Sequence, residues 1–242
     1  MTQTAGASDG SGRSVAVAVA GDDAPRGASV GLWGSRVAFG VALVAISFAL
    51  DPWAWWVLRN GTGYDHWAEM RELLAAAKFL GSGLGTALIA AAIGSLDAWR
   101  RALVLVMAVL AAAGAAGVLK VATGRERPSR LDQPPGQERR WSFHGPAQGL
   151  THSPYQSFPS GHTAGAFASA TALSALYPPV RPVFWSVAVA CGVNRVVKHQ
   201  HFLSDVVAGA VVGHLVAWWI VTRPRVRRWI RPAAVDTRMR SP

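Results

Sequence analysis

The sequence has 242 residues, a length that suits one domain of ordinary size. Hydrophobic residues make up 51% of the chain and charged residues only 15%, a composition that favours a membrane protein over a soluble globule. The formal net charge of +11 is in the range of nucleic-acid binders, yet seven of the 24 basic residues lie in the last 20 positions, directly after the last apolar run. The positive-inside rule explains that placement as a cytoplasmic tail, so we expect no nucleic-acid partner.

Six apolar windows define the predicted fold. A membrane-spanning helix needs about 20 mostly apolar residues. Windows of this kind lie at residues 36–56, 73–96, 102–122, 161–177, 180–197 and 202–222. We therefore predict an all-α integral membrane bundle of six transmembrane helices in residues 30–222. Residues 1–29 are predicted to form a disordered cytoplasmic tail, and residues 223–242 a basic cytoplasmic tail.

The charges between the windows predict the orientation of the bundle. Arg13 and Arg26 precede the first window, and Arg100 and Arg101 lie between the second and the third. The positive-inside rule then places both termini in the cytoplasm of a bacterium, with the bundle in its inner or plasma membrane. With six crossings, the polar segment 122–159 and the short segment after residue 197 both face the outer side. We expect the functional site there, at the outer interface.

Two features near the first windows allow alternative interpretations. Trp53, Trp55 and Trp56 suit an interfacial aromatic belt, or alternatively a groove for a lipid tail. Lys78 lies inside the second window, where a charge is a functional candidate by default, although a Lys near a helix end also snorkels to the interface. Gly81 and the two glycines that follow it at alternate positions favour close helix packing.

Three polar stretches lie between the later windows. Together they offer three cations, two imidazoles, a hydroxyl group and a carboxylate. That inventory suits the binding of a phosphate and a nucleophilic attack on it. The stretches are Lys120-x6-Arg127-Pro128, Pro159-Ser160-Gly161-His162 and Arg195-x5-His201-x3-Asp205.

These stretches, in this order, resemble the motifs of the type 2 phosphatidic acid phosphatase family, which shares its fold and site with vanadium-dependent haloperoxidases. The resemblance covers roughly Lys120 to Asp205, and the flanking hydropathy fits the membrane-bound branch of the family. One position departs from the pattern. The family usually has Ser just before the Arg of the third motif, and this chain has Asn194, which donates a hydrogen bond but is not equivalent to Ser.

The chemistry of the residues assigns phosphate binding to Lys120, Arg127 and Arg195. Arg grips phosphate oxygens with a bidentate fork and Lys with a compact charge. Lys120 and Arg127 are seven positions apart, so they share a helix face if the third helix continues to the proline that follows. Ser160 and Gly161 open the fourth predicted helix, where unpaired amides and the helix dipole favour an anion.

The resemblance implies that His201 is a nucleophile that forms a phosphohistidine, and that His162 is the general acid for the leaving alkoxide. Asp205 follows His201 by four residues, one helical turn. Its carboxylate should therefore reach the other imidazole nitrogen, fix the tautomer and stabilise the developing cation. Because the three cations supply the positive charge that a metal ion would supply, we expect no metal and no cofactor.

The function implied by the resemblance is that of a metal-independent phosphatase acting on a membrane lipid phosphate or diphosphate. Candidate substrates are phosphatidic acid, phosphatidylglycerol phosphate, polyprenyl diphosphates and lipid A phosphates, and the sequence does not choose among them. Three alternatives stay open: a lipid phosphotransferase, a vanadium-dependent haloperoxidase-like oxyanion-binding protein, and a non-catalytic membrane scaffold or transporter. We also predict that segment 122–159 is a lid or substrate-selecting segment, or alternatively a merely solvated loop. Cations beside aromatic rings within it would suit a lipid headgroup, and these residues are Arg139, Arg140, Trp141, Phe143 and His144.

Overall fold

The computed structural model describes residues 26–60, 68–96, 99–128 and 142–230. Within these residues the regular structure is helical, apart from one isolated antiparallel bridge between Arg125 and Phe143. The all-α class predicted from the sequence is confirmed. Most of both predicted tails lies outside the described residues. Residues up to Ser35 form a separate unit, and the packing described below concerns the unit that begins at Arg36.

The described residues form helices that follow one another along the chain, with the longest interval between α4 and α5. Their bounds are α1 Arg26–Asn60, α2 Ala68–Leu80, α3 Gly83–Leu96, α4 Trp99–Thr123, α5 Gly145–Thr151, α6 Gly161–Leu176, α7 Arg181–Val197, α8 Leu203–Val221 and α9 Pro224–Ile230.

The chain is an integral membrane protein. Among the described residues, four helical stretches are long and apolar enough to cross a membrane, and the bent pair α2–α3 makes a fifth if it counts as one span. The four are Gly31–Val57, Trp99–Thr123, Pro178–Val197 and Leu203–Val221. Helix length and composition therefore give four or five membrane spans among the described residues, and not the predicted six. Helix α6 has 16 residues, which is about 24 Å at 1.5 Å per residue, against a hydrocarbon core of roughly 30 Å.

Helix α6 is the centre of the packing and contacts α4, α7 and α8. Most of its side chains are buried, and nearly all are those of Ala, Gly, Ser or Thr. Small residues let helix backbones approach closely, and such packing holds helices together in a membrane. At Gly213 of α8, for example, an added β-carbon would collide with the carbonyl oxygen of Ala164. The close approach brings the N-terminal ends of α6 and α8 side by side.

The predicted second span is broken rather than continuous. Helices α2 and α3 meet at a bend of 64°. Gly81 lies against the carbonyl group of His162, where a β-carbon does not fit. Ser82 then caps α3, since its Oγ accepts a hydrogen bond from the N–H of Gly85 at 3.1 Å. Gly81 therefore packs closely, as predicted, but it also separates two helices within the single window that the sequence indicated.

Helix α4 stops before it reaches Arg127. Gly124 has a φ of 56°, and its N–H donates to the carbonyl group of Lys120 at 3.0 Å, so it ends the helix in the left-handed conformation. The chain then pairs with the segment before α5, where the N–H of Glu126 donates to the carbonyl group of Ser142 at 3.1 Å. The prediction that Lys120 and Arg127 share a helix face is therefore wrong, because the spacing argument ignored the glycine stop.

Candidate active site

The charged residues of the three polar stretches meet at the end of the bundle where α6 and α8 begin. Lys120 lies in the last turn of α4 and Arg195 in the last turn of α7. His162 lies in the first turn of α6, and the charges of Arg195, His201 and Lys120 act on it. The charge of Arg127 in turn acts on Lys120. We call this group of side chains the polar cluster.

His201 is buried in the polar cluster, with 3% of its surface exposed. Its Nδ1 lies 2.8 Å from the carbonyl oxygen of Ser157. Because a carbonyl oxygen only accepts hydrogen bonds, Nδ1 carries the proton and Nε2 keeps its lone pair. Burial lowers the pKa of His201 to about 4, and the nearby carboxylate of Asp205 opposes that shift only in part. A neutral imidazole with an unprotonated Nε2 is the form that a nucleophile requires.

Asp205 acts on His201 by a route that differs from the predicted one. Its Oδ2 lies 3.7 Å from Nδ1 of His201, too far for a hydrogen bond. The same oxygen accepts hydrogen bonds from Oγ of Ser157 at 2.5 Å and from the N–H of Phe202 at 2.8 Å. Asp205 thus orients Ser157, whose carbonyl group orients the imidazole. The two residues are not one helical turn apart, because α8 begins only after His201.

The three cations of the polar cluster differ in how many of their N–H groups donate a hydrogen bond to the protein. Lys120 Nζ donates to the carbonyl group of Gln156 at 2.6 Å, and Arg127 Nη1 donates to Oε1 of Gln200 at 3.1 Å. The Nε groups of Arg127 and Arg195 are buried and have no hydrogen-bond partner within the described part of the chain. Buried donors without acceptors are rare in folded proteins. An oxyanion bound among them would supply the missing acceptors.

The start of α6 adds backbone donors to the polar cluster, as the sequence predicted. Ser160 is the N-cap residue and is fully buried, and its own N–H donates to the carbonyl group of Asp205 at 2.8 Å. The next amides of the helix have no acceptor within it. A β-carbon added at Gly161 would meet only Cε of Lys120, at an ordinary contact distance of 3.5 Å. The described protein atoms therefore leave room for a ligand in front of Gly161.

A buried ionic network that the sequence analysis missed lies behind the polar cluster. Arg125 donates hydrogen bonds to Oδ1 of Asp205 at 2.6 Å and to Oδ2 of Asp51 at 2.9 Å, and it is 1% exposed. The hydroxyl group of Ser204 accepts from Arg125 at 2.6 Å and donates to Asp51. Three aromatic rings lie within 6 Å of the guanidinium group, those of Phe48, Phe143 and Phe202.

A signal for this network was present in the sequence. Asp51 stands inside the first apolar run, where a carboxylate is costly unless it is paired. Arg125 lies between Lys120 and Arg127, within the first motif. The sequence analysis assigned no role to either residue.

The remaining residues singled out from the sequence lie in different surroundings. Asn194 is fully buried, and its side-chain oxygen and nitrogen lack hydrogen-bond partners among the residues described. Lys78 lies in the last turn of α2, and its charge acts on His162, so both interpretations of this Lys stay open. Trp53 and Trp56 are largely exposed, as an aromatic belt requires. The indole of Trp55 instead packs against His199, with ring centroids 5.0 Å apart.

Two further expectations concern the long polar segment and metals. Residues 139–141, expected to meet a lipid headgroup, lie outside the described residues. Phe143 lies inside them and packs against Phe48 and Phe158, with ring centroids 6.4 and 6.5 Å apart.

Across the described ranges, no group of three His, Cys, Asp or Glu side chains is arranged to hold a metal ion.

The fold and the site together define a helical membrane protein with a cationic, imidazole-bearing cluster at one end of the bundle. Residues 101–229 match the model of the PAP2 superfamily, and this match covers more than half of the chain. The protein belongs to the PAP2 superfamily, which confirms the resemblance seen in its motifs.

Individual relatives match parts of the chain. A lipid A 1-phosphatase of Rhizobium johnstonii is 42% identical over 106 residues, 43% of this chain and 38% of the relative. Lipid phosphate phosphatase 1 of Arabidopsis thaliana is 35% identical over 136 residues, 47% of this chain and 41% of the relative. The chain therefore spans less than half the length of these curated relatives.

Two crystal structures share the fold. LpxE of Aquifex aeolicus superposes with a TM-score of 0.52 and 20% identity, covering 70% of this chain and 93% of that protein. The transmembrane PAP2 type phosphatidylglycerolphosphate phosphatase of Bacillus subtilis gives a TM-score of 0.56 and 20% identity, covering 78% and 93%.

Proposed function

We propose that the protein is a lipid phosphate phosphatase that releases phosphate from a membrane lipid phosphate or diphosphate through a phosphohistidine. The observation that carries this proposal is the state of His201. Its Nδ1 is engaged by the carbonyl group of Ser157 at 2.8 Å, so its unprotonated Nε2 is available as a nucleophile beside three cations. The names of the relatives, a lipid A 1-phosphatase and a lipid phosphate phosphatase, support lipids as the substrate class.

The first half of the proposed reaction transfers the phosphoryl group to the protein. Nε2 of His201 attacks phosphorus and forms an N–P bond while the P–O bond to the lipid breaks. Lys120, Arg127 and Arg195 hold the non-bridging oxygens and stabilise the transition state. His162, as an imidazolium, gives its proton to the leaving oxygen, and the negative charge of the bound substrate favours that protonated form.

The second half returns the protein to its starting state. His162, now neutral, takes a proton from a water molecule whose oxygen attacks phosphorus. The N–P bond breaks, inorganic phosphate leaves, and His201 regains its lone pair. The carboxylate of Asp205, 3.7 Å from Nδ1, stabilises the cationic imidazole of the intermediate. The three cations supply the positive charge for both halves, and we propose that the reaction is independent of metal ions.

We further propose that the bundle crosses the membrane six times, with both termini in the cytoplasm and the polar cluster at the outer interface. In this arrangement α2 and α3 form one bent crossing and α6 is a short one. A short α6 is compatible with the bilayer because α4, α7 and α8 surround it. The placement of basic residues supports the orientation through the positive-inside rule.

Phosphate release tests the proposed function. Purified, detergent-solubilised protein is assayed against phosphatidic acid, phosphatidylglycerol phosphate, polyprenyl diphosphates and lipid A phosphates. We expect wild type to release phosphate from at least one of them and His201→Ala to release none. Ser95→Ala is the control, since Ser95 is exposed in α3 and lies outside both the polar cluster and segment 122–159. Equal release by His201→Ala and wild type would overturn the proposal.

The same assay separates hydrolysis from transfer. If phosphate from labelled substrate appears on an added lipid or sugar acceptor and not as free phosphate, the protein is a phosphotransferase that uses the same intermediate.

A further inference from the structure

A cavity of about 510 Å³ lies between α1 and the paired helices α7 and α8. Its walls are almost entirely aliphatic or aromatic, and they include Phe39, Leu43, Val193, Val207 and Val211. Its size and lining are those of a small-molecule site, which is usually an apolar concavity with a few polar groups. The helices that line it are among those long and apolar enough to cross a membrane, so acyl chains are the surrounding solvent.

One end of the cavity carries a cation. The guanidinium group of Arg36 lies 4.6 Å from the ring centroid of Trp218, and its Nη1 lies 3.4 Å from Nε2 of His214. His214 lies eleven positions after Leu203, the first residue of α8, which is about 16 Å along the helix. Arg36 is therefore far from the polar cluster, towards the opposite face of the membrane.

The group that contacts Arg36 here is the imidazole of His214, whose other ring nitrogen is hydrogen-bonded to Thr171. Thr171 donates its hydroxyl proton to the carbonyl group of Phe167 at 2.7 Å, so at 3.0 Å its oxygen accepts a hydrogen bond from Nδ1 of His214. Nε2 of His214 then accepts from Arg36, and the imidazole in this arrangement is neutral. Within the described residues, no carboxylate lies within ion-pair distance of Arg36.

We propose that this cavity is a binding site for an anionic phospholipid whose headgroup phosphate lies at the end away from the polar cluster. One acyl chain lies in the apolar cavity, and the headgroup phosphate pairs with Arg36. The proposal combines shape and charge: an apolar volume between helices long enough to cross a membrane ends at an arginine that has no carboxylate within ion-pair distance among the described residues. Arg binds phosphate oxygens through paired N–H donors, and basic pockets between transmembrane helices select anionic headgroups. The inference does not depend on the proposed phosphatase activity.

Fluorescence quenching tests the site directly. Trp185 lines the cavity, and its contribution to the emission is the difference between wild type and Trp185→Phe. The purified protein is titrated with phosphatidylglycerol carrying brominated acyl chains, and in parallel with equally brominated phosphatidylcholine. Phosphatidylglycerol is a phosphodiester without a terminal phosphate, so the readout requires no turnover. We expect Trp185 to be quenched by phosphatidylglycerol at about fivefold lower concentration, the ratio that about 1 kcal/mol of ion pairing gives.

Variants separate the headgroup contact from the chain contact. Arg36→Gln should abolish the preference for phosphatidylglycerol. Arg223→Gln is the matched control, because Arg223 also lies over an indole, 3.7 Å from the ring of Trp219, but does not line the cavity, and it should leave the preference intact. Ala210→Phe fills the cavity and should remove quenching of Trp185 by either lipid.

Three results would overturn the proposal. The first is equal quenching of Trp185 by the two lipids in the wild-type cavity, with Trp185→Phe supplying the background emission of the other tryptophans. The second is an equal loss of preference in Arg36→Gln and Arg223→Gln, which would indicate general surface charge. The third is undiminished quenching in Ala210→Phe, which would place the acyl chain outside the cavity.

Discussion

Arg125 donates a hydrogen bond to Asp205 at 2.6 Å and so connects the segment after α4 to the first turn of α8. The other terminal nitrogen of the same guanidinium group binds Asp51 of α1 at 2.9 Å. One buried cation is thus shared between two buried carboxylates from helices distant in sequence. Asp205 also accepts a hydrogen bond from Ser157, and the carbonyl group of Ser157 accepts one from His201. The network therefore fixes the orientation of the imidazole.

Arg125→Gln should destabilise the protein strongly. Removing one member of a buried ion pair typically costs about 3–5 kcal/mol, since the remaining charge stays buried without a partner. We expect a clearly lower unfolding temperature in detergent, together with reduced phosphate release. Asp51→Asn in the same background removes one of the orphaned charges and should recover part of the loss. Strictly additive effects of the two substitutions would show that the residues are not coupled.

His201 should remain neutral well into the acidic range. Burial lowers its pKa from an ordinary 6.5 to about 4, so between those values the unfolded chain binds a proton that the folded chain does not. Its contribution to folding stability is therefore present above pH 6.5 and is lost as the pH falls towards 4. Imidazole chemical shifts of labelled protein, with His201→Asn to assign the resonance, measure this titration. A midpoint near 6.5 would contradict the expectation.

Gly209→Ala should destabilise the junction between α8 and the start of α6. An added β-carbon would lie 2.5 Å from the carbonyl oxygen of Ser160, so the backbone must shift, and overpacking of this kind costs about 1–3 kcal/mol. Gly114→Ala in α4 is the control, since no atom lies within 4 Å of the added carbon. In the middle of a helix that change should be neutral or stabilising by up to about 1 kcal/mol. Thermal unfolding of the two variants gives the comparison, and similar losses in both would refute the steric argument.

Chelators should leave phosphate release unchanged, because the three cations of the polar cluster provide the charge stabilisation. Loss of activity in EDTA that a divalent ion restores would contradict the proposed mechanism.

Vanadate should inhibit competitively, since it adopts the five-coordinate geometry of the phosphoryl transition state. Steady-state kinetics with and without each reagent distinguish these outcomes.

Much of the site could be predicted because each motif is a short stretch, and the chemistry of its side chains can be inferred without knowing the fold. Ser160 and Gly161 do open a helix, and His162, Arg195 and His201 do come together, as the motifs indicated. The helical class and the membrane location followed from apolar windows, which reflect the length of a helix that crosses a bilayer.

The errors arose where backbone geometry or long-range packing decides the outcome. The spacing of Lys120 and Arg127 suggested a common helix face, but Gly124 turns the chain first. The second window is broken at Gly81 because the carbonyl group of His162, far along the sequence, occupies the space of a side chain. Hydropathy contains no information about such contacts.

Asp51 lies well before residue 101, where the match to the PAP2 superfamily begins, yet it completes the ion network that supports Asp205. The segment that matches the family model is therefore smaller than the unit that is held together by Arg125 in this protein. We expect homologues that lack the acid at position 51 to lack the arginine at position 125 as well. A transplanted segment of residues 101–229 would bury the guanidinium group of Arg125 without Asp51.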